Sequence, residues 1–517
     1  MRLRRIAALW KKIDLSDFQT LSWLDGLLIA GLLGMALSWR LCRYTWKGIW
    51  LDESFSLITA LMDDPLKTIC YRNINGQNPA LFEFILHFVV NKFGYDIDIA
   101  RLPSVIFSTL TVYFIYRALR DFEGRVAGVV AGLLYAYQNY SITYAHEIRC
   151  YALLGLFTSV AVWGFLRWIA APEDRRFQIT TLAGSLGAAY THNFGLWVII
   201  SQTLFVAILS SVREKLRKSY LIHMGLFLLA YAPQGILTTW VFLSGIESPW
   251  AAHPGWTDWS YQISRFLNSA EWVYGNEGYF KDWLALSLMT LTALALFRSY
   301  FLSDSFERLA YVTFSGLGIM FMFFLFSQFR SSWLDRYLMP VSIGFLIMVV
   351  SVIFSYPLLW RTAFLAVLGW IFSQAAYPYS YPNLSVSRVV DKAKQINPHR
   401  RYPLFVWPFY ILAPILYHYD KQLFLKSAKY TLDPLANALI VGEEAFIWAP
   451  DYINFRRPCW YKDVDTAVVI LPNSRDSTFL KALEADSFVV EPSIREDPYS
   501  PATVLIAYRK KKPQDGS

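Results

Sequence analysis

Residues 21–53 read LSWLDGLLIAGLLGMALSWRLCRYTWKGIWLDE. The apolar run from Leu21 to Leu41 is long enough, at about 1.5 Å per residue, to cross a hydrocarbon core about 30 Å thick. Ahead of it lie Arg2, Arg4, Arg5, Lys11 and Lys12, a basic flank that the positive-inside rule keeps in the cytoplasm. The chain is therefore expected to emerge on the far side near Trp46 and to present the acid pair Asp52-Glu53 at the outer edge of the bilayer. A cleaved signal peptide is the competing reading. Against it, the apolar stretch is too long for an h-region, and no small-residue cleavage site follows it cleanly.

Composition extends this reading to the whole chain. With 517 residues, 55% of them hydrophobic and only 17% charged, the sequence lacks the polar surface of a soluble enzyme of its size and reads as a polytopic membrane protein. The 17% aromatic content, with Trp and Tyr near the ends of apolar runs, fits interfacial belts rather than base-stacking platforms, so no nucleic-acid partner is expected. The net charge of +9 sits largely in short loops that orientation alone explains. Cys42, Cys70, Cys150 and Cys459 form no Cys-x-x-Cys and no zinc spacing.

Further apolar spans fall near 102–118, 126–143, 151–170, 179–191, 194–212, 220–243, 283–302, 309–327, 338–356 and 362–376, about eleven with the first. Alternation from a cytoplasmic start places inside the groups Arg117, Arg120 and Arg125; Arg167, Arg175 and Arg176; Arg213 to Lys218; Arg298 and Arg308; and Arg361. Charge bias and span count agree. The predicted architecture is an α-helical polytopic membrane domain over 1–376 and a small extracytoplasmic α/β domain over 377–517, in a plasma-membrane protein with a cytoplasmic N-terminus. In the tail, Pro403–Trp407, Ala467–Leu471 and Thr503–Ala507 read as buried strands and Asp476–Glu484 as a capped helix, with no glycine-rich phosphate fingerprint.

The first outer loop, residues 44–100, is too long for a connector. A helical run from Glu53 to Met62 ends at Asp63-Asp64-Pro65. A second helix is expected over Ala80–Phe93, capped by Asn78, with Pro79 in its first turn and Gly94 as its stop. Both are expected to lie in or against the outer interface.

Once this topology is assigned, the uncommon polar residues gather on one side. Asp52, Glu53 and Arg101 belong to the first loop; His146, Glu147, Arg149 and Tyr151 follow the third span; His192 and Asn193 follow the fifth; Asp335, Arg336 and Tyr337 follow the ninth. Each has a plainer explanation. Asp52 reads equally as a helix cap, Arg101 and Arg336 as snorkelling anchors, and His192 as a packed interface histidine. Convergence at one depth favours a polar-rimmed cavity open to lipid and to the outer phase.

The order of these motifs resembles the GT-C glycosyltransferases, in the branch of protein O-mannosyltransferases and aminoarabinose transferases. Trp50-Leu51-Asp52-Glu53 is similar to that family's acidic pair, and Asn78-Pro79-Ala80-Leu81 with Phe93-Gly94 and Arg101-Leu102-Pro103-Ser104 to its loop helix and second-span entrance. Glu147-Ile148-Arg149-Cys150-Tyr151-Ala152-Leu153 resembles its Glu-x-Arg-x-Tyr-x-Leu element. Tyr190-Thr191-His192-Asn193-Phe194-Gly195 and Arg336-Tyr337-Leu338-Met339-Pro340 resemble its later signatures. The likeness covers about residues 20–345. Many relatives carry His-Pro-Pro where this chain has Asn78-Pro79-Ala80, so no role of that histidine carries over.

The resemblance implies a polyprenyl-phosphate sugar as donor and transfer with inversion, on the outer face, to a lipid, glycan or protein acceptor. Asp52 is the expected general base, with Glu53 beside it orienting the acceptor or holding a basic partner. Arg149 and Arg336 are expected to face the leaving phosphate, helped by His192 and Tyr337, with Arg101, Glu147 and Tyr151 completing the binding set. No cofactor is expected. Glu53, Glu147, His146 and His192 are ligand types suited to a divalent ion, but no zinc-type spacing joins them. Two other classes stay open: a flippase for a lipid-linked sugar, which calls for ionisable residues or broken helices near the midplane, and an outer-face polysaccharide ligase or polymerase, which calls for a large late outer loop.

Overall fold

A computed structural model describes residues 21–46, 48–75, 78–243, 253–268, 280–302, 305–373, 386–399, 401–407, 411–429, 438–441, 445–448, 457, 459–472, 477–492 and 502–509. The basic flank Arg2 to Lys12, Asp476 and the last three residues of the 362–376 segment lie outside the described residues. The helical body begins with α1 (Trp23–Leu41) and continues through three short helices, α2 (Leu51–Ala60), α3 (Pro65–Asn75) and α4 (Leu81–Phe93). It then runs through α5 (Ile97–Glu123), α6 (Arg125–Tyr137), α7 (Asn139–Ala145), α8 (Tyr151–Ala170), α9 (Arg175–Thr191) and α10 (Leu196–Ile208). The long α11 (Ser210–Leu243) and the amphipathic α12 (Trp256–Phe266) follow. The body closes with α13 (Phe280–Leu302), α14 (Phe306–Phe329), α15 (Met339–Phe354) and α16 (Leu358–Ser373).

Among the described residues, seven helical units are long and apolar enough to span a membrane: α1, α5, α8, α11, α13, α14 and α15 with its leading turn. The shorter apolar helices α6, α10 and α16, together with α9, occupy the remaining sequence-predicted positions. Three expectations change. The span over 126–143 divides at Gln138 into α6 and α7, and the first loop contains three helices rather than two. Nor does Asn78 cap α4, which starts later, from Ala80, with no side-chain cap. At its far end Gly94, at φ 104°, stops α4 as its sequence suggests.

The body is tied at both ends by ionised groups, around the buried Asp25 at one end and the buried Arg40 at the other. At the end where α1 begins, Asp25 accepts Arg120 Nη2 at 2.8 Å, Arg125 Nε at 2.9 Å and the Tyr116 hydroxyl at 2.8 Å, joining α1, α5 and α6. At the other end, Arg40 donates to Ser108 Oγ at 2.7 Å, to Ser141 Oγ at 3.1 Å and to the Tyr135 and Ala136 carbonyls at 3.3 Å each. Helices α8 and α9 approach backbone to backbone: a Cβ on Gly184 would sit 2.5 Å from the Ala161 nitrogen, so only glycine permits this contact. Helix α15 is buried along its whole length and forms the axis of the bundle.

Beyond α16 come α17 (Val386–Ile396), β1 (Leu404–Val406), α18 (Leu412–Tyr419), α19 (Lys421–Lys429), β2 (Ala438–Val441), β3 (Ala445–Trp448), β4 (Thr466–Pro472), α20 (Ser477–Ala485), β5 (Phe488–Pro492) and β6 (Ala502–Arg509). The strands form one sheet in the order β2-β3-β1-β4-β6-β5, with β3, β1 and β4 parallel and the other neighbours antiparallel. Alternation divides its side chains. Leu404, Val406, Val468 and Ile470 join a core that continues into the helical body, whereas Phe405, Val469 and Leu471 pack with Phe479 and Leu483 of α20. Helix α18 rests on α2, and at this junction Lys421 pairs with Asp96 while the Tyr417 hydroxyl donates to the Tyr95 carbonyl at 3.4 Å.

Candidate active site

The acid pair opens α2, and its two carboxylates lead different lives because successive helical side chains diverge by about 100°. Glu53 is fully buried and faces inward. Arg101 of α5 grips it with two bonds, Nε to Oε1 and Nη2 to Oε2, both at 2.9 Å. The Ile148 backbone N–H donates to the same Oε1 at 2.9 Å, and the Trp50 N–H reaches Oε2 at 3.3 Å. Arg101 is itself fully buried and also holds the Tyr44 carbonyl at 2.7 Å and the Gly48 carbonyl at 3.2 Å. This pair therefore pins the 44–53 segment to α5 and to the turn before α8.

Asp52 points the other way and keeps 23% of its side chain exposed. Its Oδ2 lies 3.4 Å from Arg336 Nη1 and 3.9 Å from Arg149 Nη2. Arg149 is buried and donates through Nη1 to the Asp52 carbonyl at 3.1 Å and to Ser56 Oγ at 2.9 Å. Ser56 in turn donates to Glu83 Oε1 at 2.8 Å, and Arg72 Nε lies 3.0 Å from that oxygen. A polar chain thus runs Arg336, Asp52, Arg149, Ser56, Glu83, Arg72 across five separate segments, with charges alternating on either side of Ser56.

Aromatic rings wall this chain. The ring of His192 lies 5.1 Å from Tyr337, 5.9 Å from Tyr151 and 5.5 Å from Phe194, and Phe194 stacks on Tyr337 at 4.7 Å. Arg336 lies over the rings of Trp50 at 5.7 Å and Tyr337 at 5.8 Å. His192 Nδ1 accepts the Phe194 N–H at 3.1 Å, so the neutral ring carries its proton on Nε2. Burial first, and then the charges of Arg72, Arg149 and Arg336, hold its pKa well below the usual imidazole value. The ring is therefore a neutral N–H donor.

What unites these groups is donor capacity without a protein partner. Arg72 Nη2, Arg149 Nε, Arg336 Nε, the Tyr151 hydroxyl and His192 Nε2 are all buried and accept or donate no hydrogen bond within the protein. Five such donors in one place form a concentrated locus for an anion. Among the described residues, no three His, Cys, Asp or Glu side chains group in a way that could hold a metal ion.

The structure brings Asp52, Arg149, Tyr151, His192, Arg336 and Tyr337 together, with Glu53 and Arg101 one layer behind. Glu147 is buried in the turn before α8. His146 turns away, its Nε2 lying 2.8 Å from the Arg40 carbonyl. Sequence reasoning missed Arg72 and Glu83. Glu83 carried a usable signal, since a lone carboxylate on the apolar helix LFEFILHFVV requires a buried cation. It also missed the support of Arg336: Asp335 accepts Arg265 Nη1 at 3.0 Å, the Tyr144 hydroxyl at 2.8 Å and Gln262 Nε2 at 3.2 Å. These bonds fix the turn that aims the neighbouring guanidinium.

Residues 77–236 match the family described as dolichyl-phosphate-mannose-protein mannosyltransferase. No curated protein matches the chain by sequence. Among solved structures, ArnT from Cupriavidus metallidurans in its apo state is similar at 14% identity and a TM-score of 0.54, covering 94% of this chain and 98% of that one. The same protein bound to undecaprenyl phosphate is similar at 14% identity and a TM-score of 0.52, covering 92% and 97%. The chain thus has the fold of ArnT, and its residues 77–236 match the mannosyltransferase family.

Proposed function

We propose that this protein transfers a sugar from a polyprenyl-phosphate donor to an acceptor hydroxyl or amine at the outer face of the plasma membrane, with inversion at the anomeric carbon. The observation that carries the reading is the locus of five unpartnered buried donors beside the carboxylate of Asp52. ArnT, whose fold this chain shares, has been seen with undecaprenyl phosphate bound, which supports a lipid phosphate as the anion.

In this reading Arg72, Arg149 and Arg336 hold the donor's phosphate, with the Tyr151 hydroxyl and the neutral His192 N–H completing its contacts. Asp52 removes the proton from the acceptor as its oxygen or nitrogen attacks the anomeric carbon. The bond from that carbon to the phosphate oxygen breaks, and its electron pair stays on the lipid phosphate. The arginines stabilise that growing charge in a site shielded from water, where fixed cations count for more than in solution. Glu53 and Arg101 touch neither reactant and fix the helix that carries the base. Tyr337 orients His192 through ring contact, and Glu147 lies in the turn that sets Arg149.

The test is sugar transfer by the purified full-length protein from a panel of polyprenyl-phosphate sugars. Asp52→Asn is expected to lower kcat by about 10²–10⁴ while leaving donor KM nearly unchanged. A wild-type rate from this variant would overturn the assignment. Labelling of a cysteine at position 192 only from the cytoplasmic side would overturn the orientation.

A further inference from the structure

Two residues of the anion locus are each followed in sequence by an asparagine, and both asparagines reach the same face of α11. Arg72 is followed by Asn73, whose Oδ1 accepts Gln234 Nε2 at 2.8 Å, with both side chains buried. His192 is followed by Asn193, whose Oδ1 accepts the Thr238 hydroxyl at 3.2 Å. Two residues before His192, the Tyr190 hydroxyl donates to the Ala230 carbonyl at 2.7 Å. Positions 230, 234 and 238 are four apart and form one stripe. Tyr231 adds to it, its hydroxyl lying 3.1 Å from Thr238 Oγ1.

Helix α11 otherwise exposes most of its apolar side chains, so this polar stripe stands out against its setting. Within the stripe, Pro233 removes one backbone N–H and frees the helix locally. Nothing in the reaction requires these amides and hydroxyls to touch a reacting atom. They are placed to set the azimuth of α3 and the turn after α9, and through them the direction of Arg72 and His192. Asn73 is locked on its own side as well, with Nδ2 donating to the Ile69 carbonyl at 2.9 Å.

We propose that Gln234 and Thr238 are positioning residues of the donor site, Gln234 acting through Asn73 on Arg72 and Thr238 acting through Asn193 on His192. This rests on the reading of the locus as the donor phosphate site. A guanidinium held at a fixed angle loses less freedom when the phosphate binds, so the effect falls on donor affinity. Polar bonds between helices in apolar surroundings carry enough free energy for a several-fold to tenfold effect each.

The experiment is a set of double-mutant cycles on the full-length protein, reading donor KM and kcat separately. Gln234→Met conserves volume and removes the amide, and Thr238→Val is isosteric. Gln234→Met is expected to raise donor KM about fivefold to tenfold with kcat within about twofold. That effect is expected to vanish in an Arg72→Ala background and to persist for the most part in a His192→Ala background, since Gln234 Nε2 meets Thr238 Oγ1 only at 3.5 Å. Thr238→Val is expected to behave in the opposite way. Should Gln234→Met fail to fold, Asn73→Leu tests the same bond from its other end and should also lose its effect with Arg72→Ala. If Arg72→Ala raises donor KM but Gln234→Met changes nothing, or its effect simply adds to that of Arg72→Ala, the positioning inference fails and the donor site stands. If Arg72→Ala and His192→Ala both leave donor KM unchanged, the reading of the locus itself fails.

Discussion

Replacement of Arg101 by methionine should be among the most damaging single changes in the helical body, because it strands a charge. Both members of the Glu53–Arg101 pair are fully excluded from solvent. Removing one partner of such a pair costs about 3–5 kcal/mol, most of it from the carboxylate left behind. The Ile148 and Trp50 N–H groups remain on Glu53 and moderate the loss, at 2.9 and 3.3 Å. The Tyr44 and Gly48 carbonyls lose their donor and add about 1 kcal/mol between them. A net loss of about 4 kcal/mol is a large share of a typical total of about 5–15 kcal/mol. The assay is denaturant unfolding in detergent followed by tryptophan fluorescence, at a pH near neutrality. The double variant Glu53→Leu with Arg101→Met removes both charges and should be more stable than Arg101→Met alone. If Arg101→Met unfolds within about 0.5 kcal/mol of wild type, or the double variant loses the sum of the two single changes, the pair is not what fixes α2.

Other expectations follow from the same contacts. Asp335→Asn weakens the grip on Arg265, Tyr144 and Gln262 and should raise donor KM through Arg336 by about tenfold, measured in the transfer assay. His192 is held neutral by burial and by three arginines, so below the usual imidazole pKa the unfolded chain takes up a proton that the folded site refuses. Its stabilising effect is present above that pKa and lost as pH falls toward the lower folded value; His192→Gln should flatten this acid limb in unfolding measured against pH. His418 behaves in the same sense outside the membrane body, its pKa pushed down to about 4 chiefly by burial, and His418→Gln should flatten the limb between about 4 and 6.5. At the junction of α18 and α2, the half-exposed Asp96–Lys421 pair should matter little, with Asp96→Ala within about 1 kcal/mol of wild type, whereas the buried Leu416→Ala should cost about 2–5 kcal/mol.

Length and apolarity made the spans legible: each expected segment falls on helix, with 126–143 divided between two and 362–376 seen as far as Ser373, and Pro403–Trp407, Ala467–Leu471 and Thr503–Ala507 fall on strands β1, β4 and β6. The failures have local causes. Asp63-Asp64-Pro65 reads as the end of one helix, yet it also starts the next, since Asp64 Oδ1 accepts the Leu66 N–H at 2.7 Å. Missing α3 hid Arg72. Gln138 splits α6 from α7 with no proline or glycine to announce it, and β2, β3 and β5 went unread although none is shorter than β1. The site was legible in part because topology forces distant polar residues to one depth, as with Asp52, Arg149, His192 and Arg336. Their support was not, because the bonds of Asp335 to α7 and α12 or of Gln234 to α3 join segments that carry no common pattern in sequence.

The adjacency of Asp52 and Glu53 acquires a physical logic from these contacts. A carboxylate that anchors a helix must accept several short bonds, and Glu53 does so, with three at 2.9 Å. A carboxylate that takes a proton must keep an oxygen available, and Asp52 meets its two arginines only at 3.4 and 3.9 Å, beyond the range of a strong charge-assisted bond. One helical step separates the two environments. The anchored residue thereby holds the proposed base in place without consuming it, and the arginines beside it keep donor capacity on Nε. Exchanging the two roles would fail on geometry: at position 53 a base would be sealed from the acceptor, and at position 52 an anchor would meet its arginines only at 3.4 and 3.9 Å.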